Sequence, residues 1–131
     1  MDRLLTVARL PFAGLLLTAS LSTAPLAAAG DAVHGKAVFG AQCSTCHSPA
    51  RNGPTILGPT LFGVVGRPAA SIKGFAYSRG MTASGYTWTD ARLKSYLPAP
   101  RDAVPGTKMS YAGLKNPAQL DDLVAYLDTL K

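Results

Sequence analysis

The chain has 131 residues, 47% of them hydrophobic, with a formal charge of +6 and two cysteines. Beyond an N-terminal targeting stretch this leaves one domain of about 100 residues, too small for an extensive core of its own. Lys and Arg are scattered singly rather than in runs, which speaks against nucleic acid as a partner and for an acidic protein face.

Residues 1–29 read as a signal peptide. Arg3 and Arg9 make a basic start, residues 10–21 an apolar run, and Ala27, Ala28 and Ala29 offer small residues for cleavage. A retained anchor is the rival reading, but Pro11, Thr18 and Ser20 interrupt the run, which falls short of the ~20 residues needed to cross a bilayer. The expectation is cleavage near Ala29 and a single, still basic domain over 30–131.

A first helix is predicted over 31–41, with Val33, Ala37, Val38 and Ala41 at helical spacing and Asp31 at its positive end; Gly35 and Gly40 weaken it. Residues 48–85 are rich in Gly, Pro and Ser, with no strand alternation. So much irregular chain in a small domain points to a large ligand filling the interior. A second helix starts at Thr89, a capping residue flanked by Trp88, which is placed to staple against Leu93, and ends by Pro98. The third is the clearest. Asn116 caps, Pro117 suits the first position, and Leu120, Leu123, Val124, Leu127 and Leu130 form an apolar stripe.

The chemistry centres on Cys43-Ser44-Thr45-Cys46-His47. Cys-x-x-Cys-His is the attachment motif of c-type haem: each cysteine can bond one vinyl group of a porphyrin and the histidine can face the iron. A thioredoxin-like redox disulfide would need a βαβ context, and a zinc site with His34 lacks paired ligand spacing. A carrier needs the iron's far side closed by a permanent ligand, and a thioether both closes it and raises the potential. Of the two methionines after the signal, Met109 follows the rigid turn Pro105-Gly106-Thr107-Lys108, whereas Met81 sits in a polar stretch that reads as a flexible loop and suits a gap-filling role. His34, isolated near a helix start, is given no role.

These residues, with Gly58-Pro59-Thr60-Leu61, Gly63-Val64-Val65-Gly66-Arg67, Gly74-Phe75-Ala76-Tyr77, Trp88, Tyr96-Leu97 and Leu123-Val124-Ala125-Tyr126-Leu127, resemble class I cytochromes c of the mitochondrial and soluble bacterial type. The resemblance implies an all-α cytochrome c fold, three main helices with long loops wrapped around one covalently bound haem c. It implies His47 and Met109 as iron ligands and thioethers from Cys43 and Cys46. It further implies that the Pro59 carbonyl orients His47, that Arg67, Tyr77 and Trp88 approach the haem propionates, and that Tyr96 and Thr107 steady Met109.

What is implied is a monomeric one-electron carrier and not an enzyme. Its partners would be redox proteins, whether a membrane oxidase, a bc1-type complex, a reaction centre or a periplasmic dehydrogenase. Export together with thioether attachment suggests a bacterial periplasm. A gas-binding or enzymatic haem protein with an open iron, and a subunit held within a larger complex, are the alternatives. The sequence departs from the family in its cationic ring: Ala37, Gln42, Ile56 and Asp102 stand where relatives often carry lysine, leaving Lys36, Lys73, Arg101, Lys108 and Lys115 to steer docking. Tyr111 stands where a phenylalanine is more usual.

Overall fold

The structure, a computed structural model, describes residues 29–131. The expected signal peptide therefore lies, but for its last residue, outside the described residues. Five helices and long irregular segments make up the described chain, and its only β pairing is an isolated bridge between Pro68 and Thr87.

Helix α1 (Ala32–Gln42) begins where the Asp31 carboxylate accepts hydrogen bonds from the Val33 and His34 amides, at 2.7 and 3.1 Å. Those two amides, His34 first, hold the Asp31 carboxyl below the usual carboxylate range. The Asp31 amide in turn donates to Asp122 Oδ1 at 2.7 Å, fastening the start of α1 to the C-terminal helix α5 (Pro117–Asp128). The two helices are the most closely packed pair, and Gly35 is the reason they can be: a Cβ there would lie 1.9 Å from the Asp122 carbonyl oxygen. Beside it Phe39 is buried and meets the Tyr126 ring at 5.4 Å between centroids. The stripe read from the sequence supplies Leu123, Val124 and Leu127 to the deepest part of the core.

Helix α5 stops at Asp128, so Leu130 lies beyond it. The Thr129 and Leu130 amides close tighter three-residue turns onto Tyr126 and Leu127, and Leu130 still packs against the core. Its apolar side chain signals burial rather than helix.

Two short helices were not anticipated. In α2 (Arg79–Ala83) the Ser78 hydroxyl accepts from the Met81 amide at 3.1 Å, and Met81 is buried in the core cluster. The expectation of a flexible loop around Met81 is thus corrected; its gap-filling role fits. α3 (Asp90–Tyr96) starts as expected, with Thr89 Oγ1 accepting from the Arg92 amide at 3.1 Å and with Trp88 and Leu93 both buried. α4 (Pro100–Ala103) is one turn long with proline at its start. The irregular stretch is held by its own bonds: the Trp88 amide donates to the Arg67 carbonyl at 2.9 Å, and the single proton of Thr60 Oγ1 is shared between the carbonyls of Ser48 and Ala50 at 3.1 and 2.9 Å.

The two glycines of α1 separate packing from propensity. Nothing lies within 4 Å of a Cβ at Gly40. Gly40→Ala is expected to stabilise the protein by about 0.5–1 kcal/mol through helix propensity. Gly35→Ala is expected to cost about 1–3 kcal/mol by prising α1 from α5. Guanidinium unfolding midpoints of the two variants should move in opposite directions.

Candidate cofactor site

The helices and the irregular chain enclose a cavity of about 560 Å³. Its wall is largely apolar, with Leu93, Leu97, Leu123 and Leu127 contributed by α3, its C-cap and α5. Into it project residues from all along the described chain.

One wall grows from the end of α1. The Cys46 and His47 amides both return to the Cys43 carbonyl, at 3.0 and 2.9 Å, so a single turn sets two thiols and an imidazole against the cavity. Nδ1 of His47 lies 2.7 Å from the Pro59 carbonyl oxygen. A carbonyl only accepts, so Nδ1 carries the proton and the neutral ring keeps its lone pair on Nε2. Gly58 lies flush against the ring: a Cβ there would be 2.2 Å from Cε1. Burial lowers the imidazole's pKa, the Pro59 hydrogen bond opposes that, and the charge of Arg67 adds to it. His47 is therefore poised as a neutral donor.

The Cys43 thiol differs from the reactive thiols of redox enzymes. Burial, reinforced by Cys46, pushes the Cys43 thiol up to about 11. Thioredoxin-like pairs work through a depressed pKa, so this environment argues against thiol–disulfide exchange. Zinc fares no better, since no three His, Cys, Asp or Glu side chains converge among the described residues. His34 is exposed beside Asp31, 3.6 Å from its carboxylate.

Across the cavity the segment after α4 presents Met109. The Tyr96 hydroxyl donates to Met109 Sδ at 3.4 Å, and Thr107 Oγ1 accepts from the Met109 amide at 3.3 Å. Burial raises the Tyr96 pKa, partly offset by a hydrogen bond with the Thr107 side chain, so the phenol remains a donor. Met81 also lines the cavity, from α2, without such a polar partner.

Arg67, Tyr77 and Trp88 share another part of the wall. The Arg67 guanidinium is half-buried and donates to the carbonyls of Phe62 and Thr60 at 2.7 and 2.9 Å. It makes no ion pair among the described residues. The Tyr77 hydroxyl accepts from the Ile72 amide at 3.3 Å, leaving its proton free to be donated, and Trp88 rests edge-on against Tyr96 at 4.9 Å. An anionic group entering here would find the cationic and hydroxyl donors that its burial requires.

The residues thus fit a haem c: paired thiols for thioether bonds, a neutral imidazole and a thioether as soft iron donors, apolar walls, and an uncompensated cation for propionates. The structure brings the residues singled out in the sequence, Cys43, Cys46, His47, Arg67, Tyr77, Trp88 and Met109 among them, to this one cavity. The sequence motifs do not disclose that Met81 faces the same cavity, because Arg79, Gly80 and Thr82 mask the Ser78 cap; nor that Gly58 backs the imidazole.

Comparison with known proteins agrees with this geometry. The cytochrome c family model matches residues 32–131. Cytochrome c of Trypanosoma brucei brucei is 50% identical over 70 residues, covering 53% of this chain and 75% of that protein. Cytochrome c2 of Rhodoblastus acidophilus is 48% identical over 69 residues, covering 53% of this chain and 64% of that protein. The structure of cytochrome cH from Methylobacterium extorquens superposes with a TM-score of 0.69 at 44% identity, covering 76% of this chain and 99% of that one. The chain belongs to the cytochrome c family, whose members bind one covalently attached haem c and carry electrons to and from redox proteins without acting as enzymes. It has that family's all-α fold, and it is a monohaem electron carrier.

The tight fit of Gly58 makes a direct prediction. Gly58→Ala is expected to push the imidazole away from Pro59 and to destabilise the holoprotein by about 1–3 kcal/mol. Denaturant unfolding should show the loss, and the low-spin visible spectrum should weaken with it.

Proposed function

We propose that Cys43 and Cys46 form the two thioether bonds to haem c, that the iron lies between His47 Nε2 and Met109 Sδ, and that the chain works as a diffusing monomer in a bacterial periplasm after removal of residues 1–29. One observation carries the ligand assignment: an imidazole and a thioether, each held by its own hydrogen bond, line the same cavity as the two thiols.

The haem, when bound, supplies a one-electron couple between ferrous and ferric iron. The protein's own groups do the rest. Pro59 fixes the tautomer of His47 and strengthens it as a donor. Tyr96 orients the Met109 sulfur by a hydrogen bond, and Thr107 orders the backbone that presents it. His47 and Met109 would both hold the iron, and with each side chain kept in place by its own hydrogen bond the protein would have little to rearrange when an electron is gained or lost. Arg67, Tyr77 and Trp88 offer charge and hydrogen bonds to the propionates, while the leucines keep water and polarity low, which favours the ferrous state.

The surface supports an acidic partner. Lys36, Lys73, Arg101, Lys108 and Lys115 are exposed, and Lys108 and Lys115 each also donate to a backbone carbonyl, of Ala76 and Pro98. Such charges speed encounter with an oxidase, a bc1-type complex, a reaction centre or a dehydrogenase carrying the opposite sign.

An optical and redox titration of Met109→Ala beside Met81→Leu tests the ligand set. The expected result is loss of the weak far-red sulfur-to-iron band and a large fall in potential in Met109→Ala alone. Retention of the band in Met109→Ala, with its loss in Met81→Leu, would transfer the ligand to α2. Haem that acid–acetone extracts freely from the polypeptide would overturn the thioether assignment.

A further inference from the structure

The segment that carries Met109 is tied down in an unusual way. Among the described residues, 108–113 neither donate nor accept a backbone–backbone hydrogen bond; the flanking ones are Thr107 N–H to the Val104 carbonyl and Leu114 N–H to the Leu97 carbonyl. Between those points the strap is held by side chains that reach different walls. Lys108 Nζ donates to the Ala76 carbonyl at 2.8 Å, and Met109 Sδ accepts from Tyr96 at 3.4 Å. Tyr111 OH donates to Gln42 Oε1 at 3.3 Å.

The last of these differs from the others in what it joins. Gln42 is the final residue of α1 and immediately precedes Cys43, whereas Tyr111 follows Met109 by two residues; both line the cavity. The bond therefore spans from the thioether-and-imidazole wall to the methionine wall. The Tyr111 ring packs against the core while its hydroxyl reaches the amide, so ring packing and hydrogen bond can be separated by substitution.

We propose that the Tyr111–Gln42 hydrogen bond is a clasp that closes the strap over the cavity and makes both residues positioning residues for Met109. The proposal rests on the assignment of Met109 as an iron ligand. Opening the clasp frees the strap on its α1 side, and the Met109 sulfur leaves its place more often. Nothing in the clasp touches the reacting atoms; it acts through the backbone of residues 109–111.

Imidazole added to the ferric holoprotein tests this, because it can take the place of the sulfur only after Met109 has swung away. Tyr111→Phe and Gln42→Ala are each expected to raise its binding rate about two- to fivefold, the range of one partly exposed hydrogen bond. The double variant should be no faster than either single one, and Gln42→Glu, which keeps an acceptor oxygen, should remain near the wild-type rate. Unchanged rates in the single variants, or effects that multiply in the double variant, would overturn the clasp. Met109→Ala reports separately: if it keeps the far-red sulfur band, the ligand assignment fails, whereas its loss there beside unchanged rates in Tyr111→Phe removes the clasp alone.

Discussion

The site depends first on an imidazole that cannot turn. A free histidine ring has two nitrogens, two tautomers and a freely rotating stem, and is therefore a poor fixed point. Here the Pro59 carbonyl oxygen accepts a hydrogen bond from His47 Nδ1 at 2.7 Å, and Gly58 leaves no room behind the ring for any side chain but hydrogen. One nitrogen is committed to the protein, and the other is committed to whatever enters the cavity. The turn at Cys43 then places both thiols at a fixed offset from that nitrogen, so the proposed attachment and ligation would be parts of one local arrangement.

The rest of the fold is shaped by surrounding such a site. A chain of this length cannot both fill its interior with its own side chains and keep a cavity of about 560 Å³. The compact part of the core is the crossing of α1 and α5, where Gly35 brings backbones together and Phe39 and Tyr126 seal the side. Elsewhere the chain runs as irregular wall, its polar backbone satisfied by local partners such as the Thr60 hydroxyl and the Arg67 guanidinium. Arg67 serves twice: it braces two loop carbonyls and leaves a positive charge at the cavity edge.

What could be read from the sequence follows the range of the interactions involved. Asp31, Thr89 and Asn116 cap helices through bonds to residues two or three positions away, so their signals are local and were legible. The Cys43–His47 motif is equally local. α2 and α4 span too few residues to show a period, and in α2 the polar neighbours of Met81 imitate a loop although Ser78 caps it. The roles of Pro59, Tyr96 and Arg67 depend on residues brought together by folding; only resemblance to a family points to them, and it assigns Gly58 no role. The Tyr111–Gln42 pair, 69 positions apart, has no periodic or compositional trace at all.

The two walls of the site are built with unequal stiffness, and this inequality has a use. The histidine wall is fixed by backbone hydrogen bonds within a helix terminus and by a carbonyl, groups with few rotatable bonds to lose. The methionine wall hangs on side chains, one of them a thioether accepting a weak bond from Tyr96. A soft, adaptable sulfur tolerates small changes of position better than an imidazole would, so under the proposed ligand set the looser wall would carry the more forgiving ligand. Stiffness is thereby concentrated on the side where the proposed covalent and directional bonds would be made, and the remaining compliance lies on the side that would only have to stay closed.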